Sequence, residues 1–126
     1  MAVTEAVENY LEAILVLSYK QPDVHAVDVC NHLGYSRPTL SVAIKQMKEQ
    51  GLIDVSGENH ISLTDEGLRV AERIYERHNI VAALLIGIGV CEDTAYADAC
   101  KIEHDLSDET FECLKKHYSN FKNKKG

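Results

Sequence analysis

The chain has 126 residues, of which 45% are hydrophobic, so it can form one compact domain or two closely coupled lobes with a buried core. Its 20 acidic and 13 basic residues give a formal net charge of −7, which argues against a protein that coats nucleic acid with its whole surface. This balance does not exclude a DNA reader, because such a protein needs only a local basic face.

The sequence indicates a cytoplasmic protein with free thiols. Residues 1–10 carry Glu5 and Glu8 and lack the basic region and apolar run of a signal peptide. The most apolar stretch, residues 80–90, is too short to span a bilayer and contains two glycines. The four cysteines show neither zinc-finger spacing nor a CxxC pair, so we expect them to be unpaired in a reducing compartment.

The first half of the chain predicts three helices. Apolar residues recur at helical spacing over residues 4–18, and a Gln-Pro-Asp sequence then breaks the helix. A shorter helix at about 27–33 stops at Gly34. Ser36 is placed to cap the third helix, which Gly51 ends.

A hairpin follows these helices. Two short runs with β character lie at 52–56 and 60–63, and the Gly-Glu-Asn sequence between them suits a tight loop. Three helices followed by two strands is the order of a winged helix-turn-helix, a DNA-binding module. We therefore predict such a module, with a two-stranded wing, over residues 1–63.

The second half is predicted to be helical, which makes the fold mainly α. Thr64 caps the first of its helices, and an acidic pair begins each of the last two. These helices cover about residues 65–78, 80–86, 92–106 and 108–118.

We assign residues 64–119 to a second domain and expect residues 120–126 to be a disordered basic tail. The apolar run at 80–86 is hard to bury in a monomer of this size. Its best explanation is a two-fold interface between two copies of the chain.

The third predicted helix is the candidate recognition helix. Between residues 36 and 48 the chain has three basic residues and no acidic one, a local charge of +3 that is typical of a DNA reader. Arg37 can pair with guanine or phosphate, and Val42 can contact a thymine methyl group. Taken alone, the segment also fits an ordinary solvated helix face. The candidate DNA-binding residues are Ser36, Arg37, Pro38, Thr39, Ser41, Val42, Lys45 and Lys48.

A short stretch of the second half contains three residue types that commonly bind metal ions. Cys100, Glu103 and His104 stand at positions i, i+3 and i+4, so they share one face of a helix. A thiolate, a carboxylate and an imidazole on a largely buried helix are costly unless a divalent transition metal neutralises their charge. The alternative is a buried cysteine beside an exposed Glu-His edge, and the spacing alone leaves both interpretations open.

Two further candidates lie far away in sequence. His78 stands near the end of the long predicted helix beside apolar residues, and Glu12 lies with Glu8 on an acidic edge of the first helix. Each, taken alone, is more typical of a satisfied core group or a solvated surface group than of a ligand.

Six short motifs occur in order between about residue 4 and about residue 117. They are AVENYLEAI at 6–14, SRPTLS at 36–41, LTDEG at 63–67, RH at 77–78, DACKIEH at 98–104 and LSD at 106–108. Together they resemble the diphtheria toxin repressor family of iron- and manganese-dependent transcriptional repressors. No single motif is decisive, but the ordered set is highly specific.

The resemblance implies a homodimer that binds operator DNA through its winged helix when metal is bound. It implies that the second domain binds metal and dimerises, and that metal sits between the first helix and the dimerisation helices. It also implies the short form of the family, without the SH3-like domain of longer members, and no catalytic activity. Carried over position by position, the implied metal ligands are Asn9, Glu12, His78, Cys100, Glu103 and His104.

The ligand set is a hybrid of two types within this family. Iron-type members carry cysteine at the Cys100 position and manganese-type members a carboxylate, and the softer thiolate favours iron(II) over manganese(II). Asn9 matches neither type, because it offers only a neutral amide oxygen where they have a thioether or a carboxylate. The iron type's ancillary ligands correspond to Ala82 and Tyr96, so we expect no full ancillary site. We expect iron(II) first and manganese(II) second.

The sequence pattern is also compatible with two other functions. A metalloenzyme could use the Cys-x-x-Glu-His group with an open coordination position, but it would leave the winged helix unexplained. A winged-helix regulator that responds to redox state or a small molecule would need no metal, with Cys100 or Cys91 as its sensor. A chelator would leave the DNA binding of such a protein unchanged.

Overall fold

A computed structural model of the chain describes residues 4–125, with side chains described as far as residue 120. The chain divides between Arg73 and Ile74 into two compact units, here called the N-terminal unit and the C-terminal unit. Among the described residues, no helix combines the length and the apolar character needed to cross a membrane.

The three predicted helices of the N-terminal unit are confirmed with small shifts of their ends. The Thr4 hydroxyl caps the first helix by accepting from the Val7 amide at 3.2 Å, and the helix ends just before the predicted Gln-Pro-Asp break. Gly34, with a φ of 73°, ends the second helix as expected. These helices are α1 (Glu5–Lys20), α2 (Ala26–Leu33) and α3 (Arg37–Glu49).

The predicted two-stranded wing is confirmed, and a third, short strand joins its sheet. Strands β2 (Ile53–Ser56) and β3 (His60–Leu63) form the expected antiparallel hairpin. A two-residue strand, β1 (Val24–His25), pairs with the other edge of β3, so the sheet order is β1-β3-β2. The prediction of a two-stranded wing missed β1 because two residues are too few to show an alternating pattern.

The first turns of the next helix, α4 (Asp65–Gly87), belong to the N-terminal unit. The Thr64 hydroxyl accepts from the Gly67 amide at 3.1 Å and so caps the helix. A Cβ atom on Gly67 would lie only 1.9 Å from the Leu52 carbonyl oxygen, so only glycine allows this approach. This packing explains why the unit extends past the boundary predicted at residue 63.

Helix α4 is continuous where two helices, 65–78 and 80–86, were predicted. No glycine or proline occurs from residue 68 to residue 86, so nothing in the sequence stops the helix at His78. The change from an amphipathic to an apolar pattern suggested a break, but the helix continues through it, with residues 83–85 half-buried and Ile86 exposed. Val81 and Ala82 are buried in a small core with Ala95 and Ala99.

The C-terminal unit continues with α5 (Glu92–Ile102), a 3-10 turn (Glu103–Asp105) and α6 (Asp108–Lys125). Helix α5 is shorter than the predicted span of 92–106, because its last turn tightens into the 3-10 conformation.

Helix α6 continues through residues 120–125, where the sequence suggested a disordered tail. No glycine or proline lies between residues 108 and 125, so the sequence offers no stop signal after the predicted end at 118. Gly126 lies outside the described residues.

Candidate DNA interface and metal centre

Helix α3 is fixed at both ends by local hydrogen bonds. The Ser36 hydroxyl accepts from the Thr39 amide at 3.4 Å and caps the first turn. At the other end Gly51 adopts a left-handed conformation with a φ of 73°. The Leu52 amide then donates to the Met47 carbonyl at 2.9 Å, as in a Schellman motif. The helix is therefore held independently of any partner.

One face of α3 is buried and the other is exposed, so the exposed face can contact DNA. Leu40, Ala43 and Met47 are buried against the rest of the N-terminal unit. Val42 is 68% exposed, which is unusual for an aliphatic residue on a helix. The exposed face thus carries three cations and one apolar group. The residues predicted to contact DNA are Ser36, Arg37, Pro38, Thr39, Ser41, Val42, Lys45 and Lys48, and all of them are exposed.

A groove of about 360 Å³ adjoins this face. Arg37 and Ser41 of α3 line it together with Asn59, which lies in the loop between β2 and β3. The groove therefore connects the recognition helix with the wing, as expected of a winged helix that follows a DNA backbone.

Two of the predicted metal ligands, His78 and His104, each lie near a third, Glu103, in the C-terminal unit. A ring nitrogen of His78, on α4, lies within 4.8 Å of a carboxylate oxygen of Glu103. The Nε2 atom of His104 lies 3.6 Å from the Oε1 atom of Glu103. The 3-10 turn after α5 is what presents Glu103 and His104 side by side.

The tautomer of His78 is set by a backbone contact. Its Nε2 atom lies 3.0 Å from the carbonyl oxygen of Tyr96, and its ring packs edge-on against the Tyr96 ring at 5.6 Å. A carbonyl oxygen only accepts, so Nε2 carries the ring proton and Nδ1 is the nitrogen that can ligate a cation. A second partner of this kind is the usual way in which proteins orient a metal-binding histidine.

Two of the candidate ligands are almost fully buried. The side chains of Glu103 and His104 are 0% and 4% exposed. Cys100 is half-buried and lies one helical turn before Glu103. A buried carboxylate is costly without a cation to compensate its charge.

The remaining predicted ligands, Asn9 and Glu12, belong to the N-terminal unit. They stand three residues apart on α1, so they share one helix face. Glu12 is only 9% exposed, although a glutamate on a helix is ordinarily solvated. The six predicted ligands are therefore divided between the units, two in the first and four in the second.

Comparison with known proteins identifies both halves of the chain. Residues 2–61 match the family described as "Iron dependent repressor, N-terminal DNA binding domain". Residues 64–125 match "Iron dependent repressor, metal binding and dimerisation domain". The chain belongs to the iron-dependent repressor family. The resemblance seen in the sequence motifs is thereby confirmed.

Two named regulators are similar to the chain. The transcriptional regulator MntR of Escherichia coli O6:H1 is 33% identical over 111 residues, which cover 88% of this chain and 72% of MntR. The iron-dependent repressor IdeR of Mycobacterium tuberculosis H37Rv is 29% identical over 119 residues, 94% of this chain and 52% of IdeR.

Solved structures of the repressor family share the fold. A manganese-dependent transcriptional repressor in complex with manganese is 27% identical with a TM-score of 0.82, and the match covers 90% of this chain and 52% of that one. The chain therefore spans about half the length of IdeR and of this manganese-dependent repressor.

Sequence reasoning gave no role to two residues at the metal centre. Tyr96 holds His78 through its backbone carbonyl, which any residue type offers, so no side-chain pattern could have revealed it. Arg77 stood in a recognised motif beside His78, and it is almost fully buried. Burial of an arginine depends on the tertiary fold and leaves no local signal.

Proposed function

We propose that the protein is a metal-dependent transcriptional repressor that binds operator DNA as a homodimer when a divalent transition metal is bound. The observation that carries the proposal is the approach of His78 and His104 to the buried Glu103, in a chain whose residues 36–48 carry three basic side chains and no acidic one. MntR and IdeR, named as regulators, support the same conclusion.

The proposed ligands are the six residues that the family pattern indicates. In this proposal Cys100, Glu103, His104 and His78 supply the C-terminal half of the site, and Asn9 and Glu12 of α1 complete it. The burial of Glu12 supports this assignment, because a cation would offset the cost of removing its carboxylate from water. The bound metal supplies positive charge and a fixed coordination geometry.

Metal binding would act on DNA affinity by linkage. Two recognition helices must lie about one turn of DNA apart to contact both half-sites. Metal that binds this arrangement better than others shifts the population towards it. A coupling of about 1–3 kcal/mol would raise operator affinity roughly 5- to 150-fold.

We propose iron(II) as the first choice of metal and manganese(II) as the second. Cys100 supports iron, because a thiolate is a softer ligand than the carboxylates that suit manganese. The similar proteins include an iron-dependent repressor and a manganese-dependent repressor, so the comparison favours neither metal.

Exposed apolar residues at the end of α4 support a homodimer. Ile86 and Ile88 are 41% and 81% exposed, and a groove of about 130 Å³ lies beside Ile88, lined also by His117 and Tyr118 of α6. An apolar surface of this kind is typical of an interface. A cytoplasmic location is part of the proposal, since the operator is there.

Ligand variants test the proposal. We expect the Cys100→Ala and His104→Ala proteins to form dimers of normal size but to bind an operator fragment, selected with the wild-type protein, no better with metal than without it. Cys113→Ala is the matched control, because Cys113 is an exposed cysteine of the same unit. Fluorescence anisotropy under anaerobic, reducing conditions measures this, and full metal stimulation of both ligand variants would reject the site.

A further inference from the structure

We propose that Arg77 is a positioning residue for the metal centre, which holds the turn carrying Glu103 and His104 against α4. The proposal deepens the proposed function and rests on it. The proposal needs no direct contact of Arg77 with Glu103 or His104. Arg77 acts on them by holding the backbone of the residues that come directly after them.

The contacts of Arg77 lead from α4 to the segment after the 3-10 turn. Its Nη2 atom donates to the Leu106 carbonyl oxygen at 2.8 Å, and its Nη1 atom lies 3.5 Å from the Asp108 carboxylate. Its guanidinium carbon lies 4.9 Å from the centre of the Phe111 ring. Leu106, Asp108 and Phe111 therefore all contact the one side chain of Arg77.

Position along the chain connects this anchor to the ligands. Arg77 directly precedes His78 on α4, and Leu106 comes two residues after His104. The hydrogen bond between Arg77 and Leu106 thus joins two points of the chain. One is next to the candidate ligand His78, and the other is close to the candidate ligand His104. Loss of the bond would leave His78 in place and release the turn that presents the other ligands.

Burial separates Arg77 from an ordinary surface ion pair. Its side chain is 7% exposed, whereas that of Asp108 is 80% exposed, so the ion pair itself contributes little. The hydrogen bond to a carbonyl in a nearly dry environment is the stronger constraint. The planar guanidinium group can contact the Leu106 carbonyl and the Asp108 carboxylate at the same time, through two different nitrogens. The single ammonium group of a lysine does this less well.

An exposed contact between the same helices provides the control. The Lys115 ammonium lies 2.9 Å from the Glu76 carboxylate and also joins α6 to α4, with side chains 40% and 47% exposed. Lys115→Met removes this exposed ion pair, which also joins α4 to α6 but has no role in the proposal.

Cobalt(II), whose visible spectrum reports coordination, is the probe for the test. We expect Arg77→Met to weaken cobalt(II) binding roughly 10- to 100-fold, the usual effect of losing a residue that orients ligands. Arg77→Lys should recover part of the loss, and Lys115→Met should bind like the wild type. In the metal-free protein, Arg77→Met should speed amide hydrogen exchange at residues 103–106 more than in the core of α4 and α5.

The outcomes separate this proposal from the proposed function. Wild-type protein that binds no cobalt(II) would reject the metal site, while the hydrogen-exchange comparison would still test the anchor. Unchanged cobalt(II) binding by Arg77→Met would overturn the positioning role. Equal losses in Arg77→Met and Lys115→Met, in step with their thermal stability, would overturn it as well. If Arg77→Met fails to fold, Arg77→Lys carries the same comparison.

Discussion

At the scale of single residues, Cys91 differs chemically from the other exposed cysteine. It lies at the N-cap of α5, and its sulfur is 3.1 Å from the Thr94 hydroxyl. Hydrogen bonds from the Thr94 side chain, and then from its backbone amide, lower the pKa of the Cys91 thiol below its ordinary value. A lower pKa means more thiolate at neutral pH, and the thiolate is the reactive form.

We therefore expect Thr94→Val to slow the alkylation of Cys91 by iodoacetamide at neutral pH. The variant removes the largest cause of the lowered pKa, so the pH at which the rate is half-maximal should rise. Cys113, on α6, serves as an internal control whose rate should stay the same. Mass spectrometry of each peptide over a pH series measures both rates, and an unchanged Cys91 profile would contradict the account.

At the scale of elements, local signals explain which parts of the fold were predictable. Thr4 and Ser36 cap helices through their own hydroxyls, and Gly34 and Gly51 end helices in the left-handed conformation. Such signals depend only on neighbours in sequence, so α1, α2, α3 and the hairpin were predicted nearly as observed. The pairing of β1, in contrast, depends on a strand more than thirty residues away.

The recognition helix is the element whose function is tested most simply. We expect the double variant Arg37→Ala, Lys45→Ala to lose specific operator binding while its fold and metal binding stay intact. Each lost phosphate contact should also lower the slope of log affinity against log salt by about 0.9. Lys116→Ala, an exposed cation on α6, should leave both quantities unchanged. Footprints of the double variant that match the wild type would contradict the assignment.

At the scale of the whole molecule, the candidate metal site could be predicted only in part from the sequence. The i, i+3, i+4 spacing predicted one shared helix face for Cys100, Glu103 and His104, because helix geometry is local, whereas Glu103 and His104 lie in the 3-10 turn that follows α5. His78 comes from another helix, and only the family resemblance singled it out. The contacts proposed to orient the site, from Arg77 to Leu106 and from His78 to a backbone carbonyl of α5, arise from tertiary packing and had no signature in the sequence.

The central claim is that metal binding and operator binding are coupled, and coupling is reciprocal. The factor by which metal raises operator affinity must equal the factor by which operator raises metal affinity. The sequence does not provide these factors, because they depend on differences between two states of the dimer.

The most direct test is the operator affinity of the wild-type protein, measured by anaerobic fluorescence anisotropy with a chelator and with saturating iron(II), manganese(II) or zinc(II). The account predicts a gain of roughly 5- to 150-fold on metal addition, largest with iron(II), that the chelator reverses. Operator affinity that is the same with chelator and with every metal would contradict it.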